Sequence, residues 1–348
     1  MGKLRMGVVG LGMGMAHAQS YQSHPGAELV ALCDTDAGKL AQQAAALGVD
    51  QTYASTDEMF AKAGLDAVSI AVPNKFHAPL TIAALKAGHH VLCEKPMARS
   101  AREAERMLEA ARKAGRNLMI NFSFRFSDMS YALKEQVDAG VVGDIYFGRT
   151  VWHRRRGLPG LGGWFGIKEL SGGGPLIDLG VHRLDLALWL MGYPEPVAVT
   201  GSTYDPIARP MASKQRRKFD VEDLACGLVK FANGATLVLE ASWALNIPEN
   251  EQMITSLYGT RGAVVQRNLG GGYEFEAELY TEEGDSHFTK KLEWRSAGAP
   301  SSYHEFVNSI LEKREPIATG EHGLKVMKIL DGIYRSAATG REVRYRTR

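Results

Sequence analysis

The chain has 348 residues, 45% hydrophobic and 23% charged, which is the balance of a globular protein too long for one ordinary core, so two domains are expected. Lys plus Arg (41) against Asp plus Glu (39) leaves a formal charge of +2, so no global field gathers nucleic acid or an anionic membrane. Cys33, Cys93 and Cys226 are odd in number and lack metal-like spacing, which argues for a reducing compartment rather than a disulfide framework. Apolar periodicity begins by Met6, leaving no room for a signal peptide, and no apolar run reaches membrane-spanning length. A cytoplasmic location is expected.

Up to roughly residue 120, strand and helix patterns alternate. "RMGVVG" reads as a strand running into a glycine-rich turn and a helix that stops near His24-Pro25-Gly26. "AELVALCD" is a second strand, and the helix "AGKLAQQAAALG" stops at Gly48. Ser55 to Glu58 and Ser100 to Glu103 are capping-box signatures that open a short helix and a long one. "LDAVSIAVP", "HHVLCE" and "NLMINF" are further strands, with the helix "HAPLTIAALKAG" after the first of them. Near-continuous apolar runs joined by helices predict a parallel sheet buried on both faces.

Beyond residue 140 the texture changes. "DIYFGRTVWHRR", "PVAVTGSTYD", "DLACGLVKFANGATLVLEASWAL", "QMITSLYGTRGAVV", "YEFEAELYTEE" and "HFTKKLEWR" are strand-like, several joined by short turns. Ala232-Asn233-Gly234 is a hairpin signal. A largely antiparallel sheet is expected, interrupted by a helix beginning near Pro175 and followed by two helices around 301–313 and 321–337. "SKQRRKFD" reads as a solvated loop, and residues 157–174 form a glycine-rich loop.

The polar signals follow the ends of the first-domain strands. Gly10, Gly12, Met13 and Gly14 follow the first, Asp34 the second, and Pro73, Asn74 and His77 the third. Glu94-Lys95-Pro96 follow the fourth, and Asn121 to Arg125 the fifth. In an open parallel sheet these carboxyl ends border the ligand crevice. A glycine turn at a helix N-terminus suits a pyrophosphate, although G-x-G-x-G is one residue shorter than the dinucleotide fingerprint and leaves Met15 at its strict third position. Asp34 lies where a carboxylate accepts hydrogen bonds from an adenosine ribose and repels a 2′-phosphate, favouring NAD over NADP. The alternative for Asp34 is a turn former, and for Lys95 a surface lysine.

"GGGPLIDLGVHRLDLALWL" (172–190) places Asp178, His182 and Asp185 on roughly one face of an apolar helix. His182 suits a general base near neutral pH, with Asp178 orienting it or binding a second hydroxyl, while glycines 172–174 permit close backbone approach. The structural alternative is a core histidine satisfied by an acid four residues away. No third ligand has metal-site spacing, so no metal is expected, and Asp185 is read as a cap or a partner of Arg183.

Together "VVGLGMGMAHA", "CDTD", "AVPNKFH", "CEKPMA" and "GGGPLIDLGVHRLDLALWLMG" resemble the Gfo/Idh/MocA family of NAD(P)-dependent sugar and polyol oxidoreductases, across both domains. The resemblance implies an N-terminal Rossmann domain (1–123) and a C-terminal α/β domain (124–348) with a large, mostly antiparallel open sheet for substrate binding and oligomerisation. In this arrangement the last helices return to the first domain. It also implies a catalytic group of Lys95, Asp178 and His182 and a homo-oligomer, dimer or tetramer, with no nucleic-acid or membrane partner. The implied reaction is hydride transfer between nicotinamide and a sugar or polyol carbon, with His182 taking the hydroxyl proton and Lys95 stabilising the alkoxide. For substrate contacts, Arg125, His153, Arg155 and Trp164 are candidates, the strand alternation allowing at most about half of residues 153–156 to face the site. Trp164 and Phe165 are read either as a lid on the sugar or as packing of their loop. Two rival readings use the same parts: an NAD-dependent redox-neutral glycosidase and a catalytically silent dinucleotide-binding regulator.

Overall fold

The computed structural model describes residues 2–293 and 301–345, and its chain forms two compact units, one of Met1–Phe122 with Pro300–Met327 and the other of Ser123–Ala299 with Lys328–Arg348. In the first unit, β1 (Leu4–Val9), α1 (Gly14–Ser23), β2 (Ala27–Cys33), α2 (Ala37–Leu47), β3 (Gln51–Tyr53) and α3 (Thr56–Lys62) lead to β4 (Ala67–Ile70). Then come α4 (His77–Lys86), β5 (His90–Cys93), α5 (Ala101–Ala114) and β6 (Leu118–Ile120). All six strands are parallel, in the order β3-β2-β1-β4-β5-β6, with the reversal beside β1. The inner strands β4 and β5 are almost wholly buried, as apolar runs covered on both faces must be. Edge strand β3 is additional to the five expected strands, since three half-buried residues leave no apolar run to read. Both capping boxes form: Ser55 Oγ accepts from Glu58 N and Ser100 Oγ from Glu103 N.

The second unit opens with α6 (Asp128–Asp138), β7 (Ile145–Arg154) and a short helix α7 (Lys168–Ser171). A π-turn over Leu176–Gly180 feeds α8 (Val181–Leu190), so the expected helix at Pro175 begins with one wider turn. β8 (Pro196–Tyr204), α9 (Ala208–Lys214), β9 (Leu224–Phe231), β10 (Thr236–Ser242), β11 (Glu251–Gly259), β12 (Gly262–Asn268), β13 (Phe275–Glu283) and β14 (Ser286–Lys291) follow. Trp294 and Arg295, at the end of the strand expected from "HFTKKLEWR", lie outside the described residues. Helix α10 (Ser302–Leu311) belongs to the first unit, α11 (Gly320–Thr339) contributes its start to the first and its end to the second, and β15 (Val343–Arg344) closes the second.

These strands form one nine-stranded sheet, β14-β13-β12-β11-β7-β10-β9-β8-β15, antiparallel except where β10 runs parallel to β7. The hairpin at Asn233-Gly234 joins β9 to β10, with Gly234 at φ +86°. Thr150 Oγ1 donates to Arg183 O and Arg183 Nη1 donates to Gln266, which fixes α8 on the face carrying Thr150, Trp152 and Gln266. Arg149, His153 and Glu240 occupy the opposite face. Among the described residues no helix is long and apolar enough to cross a membrane.

Candidate active site

In the first unit the glycine turn is built from unequal glycines. Gly10 has φ +87°, and a Cβ there would lie 2.3 Å from Ala71 O, so this position joins the ends of β1 and β4. At Gly14, the first residue of α1, a Cβ would lie 2.8 Å from Val8 Cγ1, so this glycine seats helix on strand. Gly12 differs: a Cβ there meets nothing within 4 Å, leaving the approach to the α1 N-terminus clear of side-chain atoms. Met13 beside it is exposed. The Asp34 carboxylate reaches back to this turn, accepting from Leu11 N at 2.8 Å and from Asp36 N at 2.9 Å, with Lys39 Nζ at 3.9 Å. An open backbone approach, a helix N-terminus with its dipole and an adjacent carboxylate fit the pyrophosphate and ribose of NAD.

The turn bearing Lys95 is held from below. Glu94 Oε1 lies 2.9 Å from His17 Nε2 and accepts from Asn121 Nδ2 at 2.6 Å, while Oε2 accepts from Lys95 N at 3.1 Å. His17 Nδ1 lies 2.9 Å from Ser69 Oγ, which also meets the Tyr21 hydroxyl, and Ser302 Oγ donates to Asn121 Oδ1. Burial opposes the Glu94 charge, yet His17, Asn121 and Lys95 hold its carboxyl below the usual range. Glu94 and Asn121 therefore anchor the turn with their side chains. His77 does the same from α4, its ring nitrogens 2.7 and 2.8 Å from Pro96 O and Val72 O, and burial pushes its proton affinity down. Asn74 is buried beside Pro73, and the Lys95–Pro96 peptide is cis.

In the second unit the triple glycine gives room to protein groups. A Cβ on Gly173 would lie 2.0 Å from the Tyr334 hydroxyl, and one on Gly174 would lie 2.1 Å from Glu222 O. Into that space Glu222 inserts a buried carboxylate that accepts from Gly174 N (2.9 Å), Leu176 N (3.2 Å) and Tyr334 OH (2.8 Å). Burial raises the Glu222 pKa, only partly offset by these donors, and raises that of Tyr334 well above normal. The clasp caps the π-turn that carries Asp178. Asp178 Oδ2 accepts from Trp243 Nε1 at 3.1 Å. One turn on, the His182 ring meets Phe124 (4.9 Å, edge-on) and Trp152 (5.6 Å) and is 8% exposed.

The other expected contacts separate. Arg125 is fully buried and donates through Nε and Nη2 to both oxygens of Asp185, at 2.8 and 2.6 Å, while Tyr193 hydrogen-bonds to both partners. Arg125 is thus an internal tie, and Asp185 serves it rather than Arg183 or a helix cap. His153 lies on the sheet face away from α8, 3.4 Å from Glu240, and exposed Arg155 reaches Pro248 O. The alternation instead turns Trp152 and Arg154 towards α8's side, where both donate to Glu251 Oε1. Trp164 stacks on Phe165 at 3.8 Å, and Phe165 packs against the cluster containing Trp152, Leu179 and Trp243. Sequence reasoning gave His17 no role and missed Glu222, Trp243 and Tyr334; "VED" at 221–223, buried in the structure, is the local signal for an acid placed in a core.

Residues 4–122 match the Gfo/Idh/MocA oxidoreductase family's NAD-binding Rossmann fold, and residues 134–345 match the family's C-terminal alpha/beta domain. The chain belongs to this oxidoreductase family, and its first domain is the NAD-binding one. It is 35% identical to D-glucoside 3-dehydrogenase of Escherichia coli (strain K12), over 98% of this chain and 97% of that protein. It is similar to the crystal structure of aldose-aldose oxidoreductase from Caulobacter crescentus complexed with glycerol, with a TM-score of 0.82 and 28% identity over 99% of this chain and 100% of that one. It is also similar to GenD2 from gentamicin A biosynthesis in complex with NAD, with a TM-score of 0.81 and 29% identity over 100% of this chain and 97% of that one.

Proposed function

We propose that this enzyme oxidises a secondary CH–OH group of a pyranoside or related sugar, with His182 as general acid/base, Lys95 as the donor to the developing alkoxide and Asp178 as the group that orients His182 or a neighbouring hydroxyl. In this reading residues 1–123 bind NAD through Gly10, Gly12, Met13, Gly14, Asp34, Pro73 and Asn74, and residues 124–348 bind the substrate and mediate oligomerisation in the cytoplasm. The observation that carries it is Asp178 on the π-turn one helical turn before His182 of α8, with the Asp178 carboxylate aimed by the Trp243 indole. The sugar class is supported by the relative named D-glucoside 3-dehydrogenase.

Bound NAD supplies the hydride acceptor. His182 removes the hydroxyl proton as the general base. Lys95 donates to the same oxygen, whose negative charge grows as the proton leaves. The aromatic wall of Phe124 and Trp152 excludes water from the imidazole and strengthens both interactions.

The test is NADH absorbance with a panel of glycosides, aldoses, uronic acids and polyols. One sugar class is expected to give turnover, with Lys95→Ala and His182→Asn each lowering kcat by about 100-fold or more and KM little changed. Glycoside cleavage without NADH would instead identify a redox-neutral glycosidase.

A further inference from the structure

Arg183, next to His182 in the chain, is fully buried between α8 and the sheet. Its Nη1 donates to Gln266 Oε1 at 3.0 Å and to Thr255 Oγ1 at 3.3 Å, both neutral groups. Nε and Nη2 have no hydrogen-bond partner among the described residues. What surrounds the guanidinium instead is aromatic: its carbon lies 4.9 Å from the Phe124 ring centre, 5.2 Å from Phe275 and 5.8 Å from Trp152. Ring faces attract a cation but do not cancel its charge.

The other cations on elements packed against α8 are each held by a carboxylate. Arg125 is held by Asp185 beside Tyr193, Arg154 by Glu251, and Lys134 of α6 by Asp138. Asp178 is the acid of the preceding turn, held by Trp243, and Glu222, which clasps that turn from elsewhere in the chain, is held by backbone N–H groups and Tyr334. Arg183 is the one cation among these without a carboxylate. Burial alone pulls its own pKa down to about 9, which still leaves it charged at neutral pH. An uncompensated buried charge is costly to keep, and hydrophobic replacements of such groups are often neutral or stabilising. Two of the rings that cage it, Phe124 and Trp152, are also the rings that wall His182.

We propose that Arg183 is an electrostatic positioning residue for the reaction: its fixed positive charge, shared through the Phe124–Trp152 wall, disfavours the imidazolium form of His182 and keeps that ring a neutral base in the neutral pH range. Asp178 pulls in the opposite direction, so the two set the working range of the imidazole between them. The inference rests on the assignment of His182 as the base.

The test reads the His182 ring directly. In the full-length protein without cofactor, the His182 imidazole resonances, assigned by their loss in His182→Asn, are titrated by NMR in wild type, Arg183→Met and Arg183→Lys. Removal of the charge in Arg183→Met is expected to raise the midpoint by about one pH unit, a tenfold change in proton affinity. The acid limb of kcat/KM is expected to move up by the same amount, with rates converging at high pH. Arg183→Lys keeps the charge and is expected to stay near the wild-type midpoint. Should Arg183→Met unfold, Arg183→Gln carries the comparison. A folded neutral variant with an unmoved midpoint, or a lysine variant shifted as far as the methionine one, overturns the proposal. If His182→Asn retains full turnover, the base assignment fails, and the NMR midpoint still decides whether Arg183 tunes the ring.

Discussion

Both oxygens of the Glu94 carboxylate are engaged inside the first unit, by His17, Asn121 and the Lys95 N–H, so the acid of the Glu-Lys-Pro turn fixes where the lysine begins. At the start of β5, the strand that precedes this turn, His90 shows the opposite use of a titratable group. His90 Nδ1 accepts from Asn117 N at 3.0 Å, a bond only an unprotonated nitrogen can make. Burial, with Arg116 nearby, lowers its pKa to about 4. The unfolded chain takes up that proton near pH ~6.5, so the unfolded state binds more protons across the interval and stability falls as pH drops from about 6.5 towards the folded value. His90→Gln, whose amide oxygen accepts the same N–H without titrating, is expected to flatten that part of the pH dependence. Urea midpoints of the two proteins at a series of pH values check this: the curves should converge at pH 8 and separate below about 6.

At the scale of one element, the π-turn from Leu176 to Gly180 is where local and distant contacts meet. Its start is clasped by Glu222 and Tyr334, and the clasp fits only because residues 173 and 174 lack side chains. Gly173→Ala puts a methyl into the Tyr334 hydroxyl and is expected to cost about 1–3 kcal/mol of stability by overpacking. If the turn aims Asp178, kcat falls with it while KM stays near wild type; a thermal scan and a substrate titration separate the two effects. This element also marks what a sequence can and cannot reveal. Periodicity placed a helix here with Asp178 and His182 a turn apart, because that signal is local. The reason for the glycines lies 48 residues away at Glu222 and at Tyr334 in the last long helix, contacts for which a single sequence holds no spacing rule. Arg125 illustrates the same point: its partner Asp185 is 60 residues on, so its chain position at the end of the first domain suggested a ligand contact where the fold makes a buried tie. For residues 153–156 the alternation was legible but its phase was not, and only the pairing of β7 with its neighbours turns Trp152 and Arg154 inward and His153 outward. The parallel sheet was readable from its apolar runs except at the three-residue edge strand β3, which has none.

At the scale of the molecule, the nine-stranded sheet has two unlike faces. One carries α8 and the cluster around Trp152 and Trp243. The other presents Phe147 and Tyr258 as a stacked pair 5.8 Å apart, 36% and 39% exposed, with the half-buried side chains of Leu228, Val238, Ile254 and Val265 in the same alternation. Contiguous apolar surface on a broad sheet is seldom left to water, and a two-fold contact with a second copy would cover it. We therefore expect a homo-oligomer built through this face, with the Arg149–Glu240 pair lying inside it. Leu228→Glu places a carboxylate where Thr200 and Val238 flank it on neighbouring strands, and in a face-to-face dimer that charge is buried without a partner. Sedimentation velocity of wild type should give a dimer or tetramer, and the Leu228→Glu protein should run as a monomer with its far-UV spectrum unchanged. A monomeric wild type at micromolar concentration would remove the assembly altogether. A variant that stays oligomeric would move the interface to another surface.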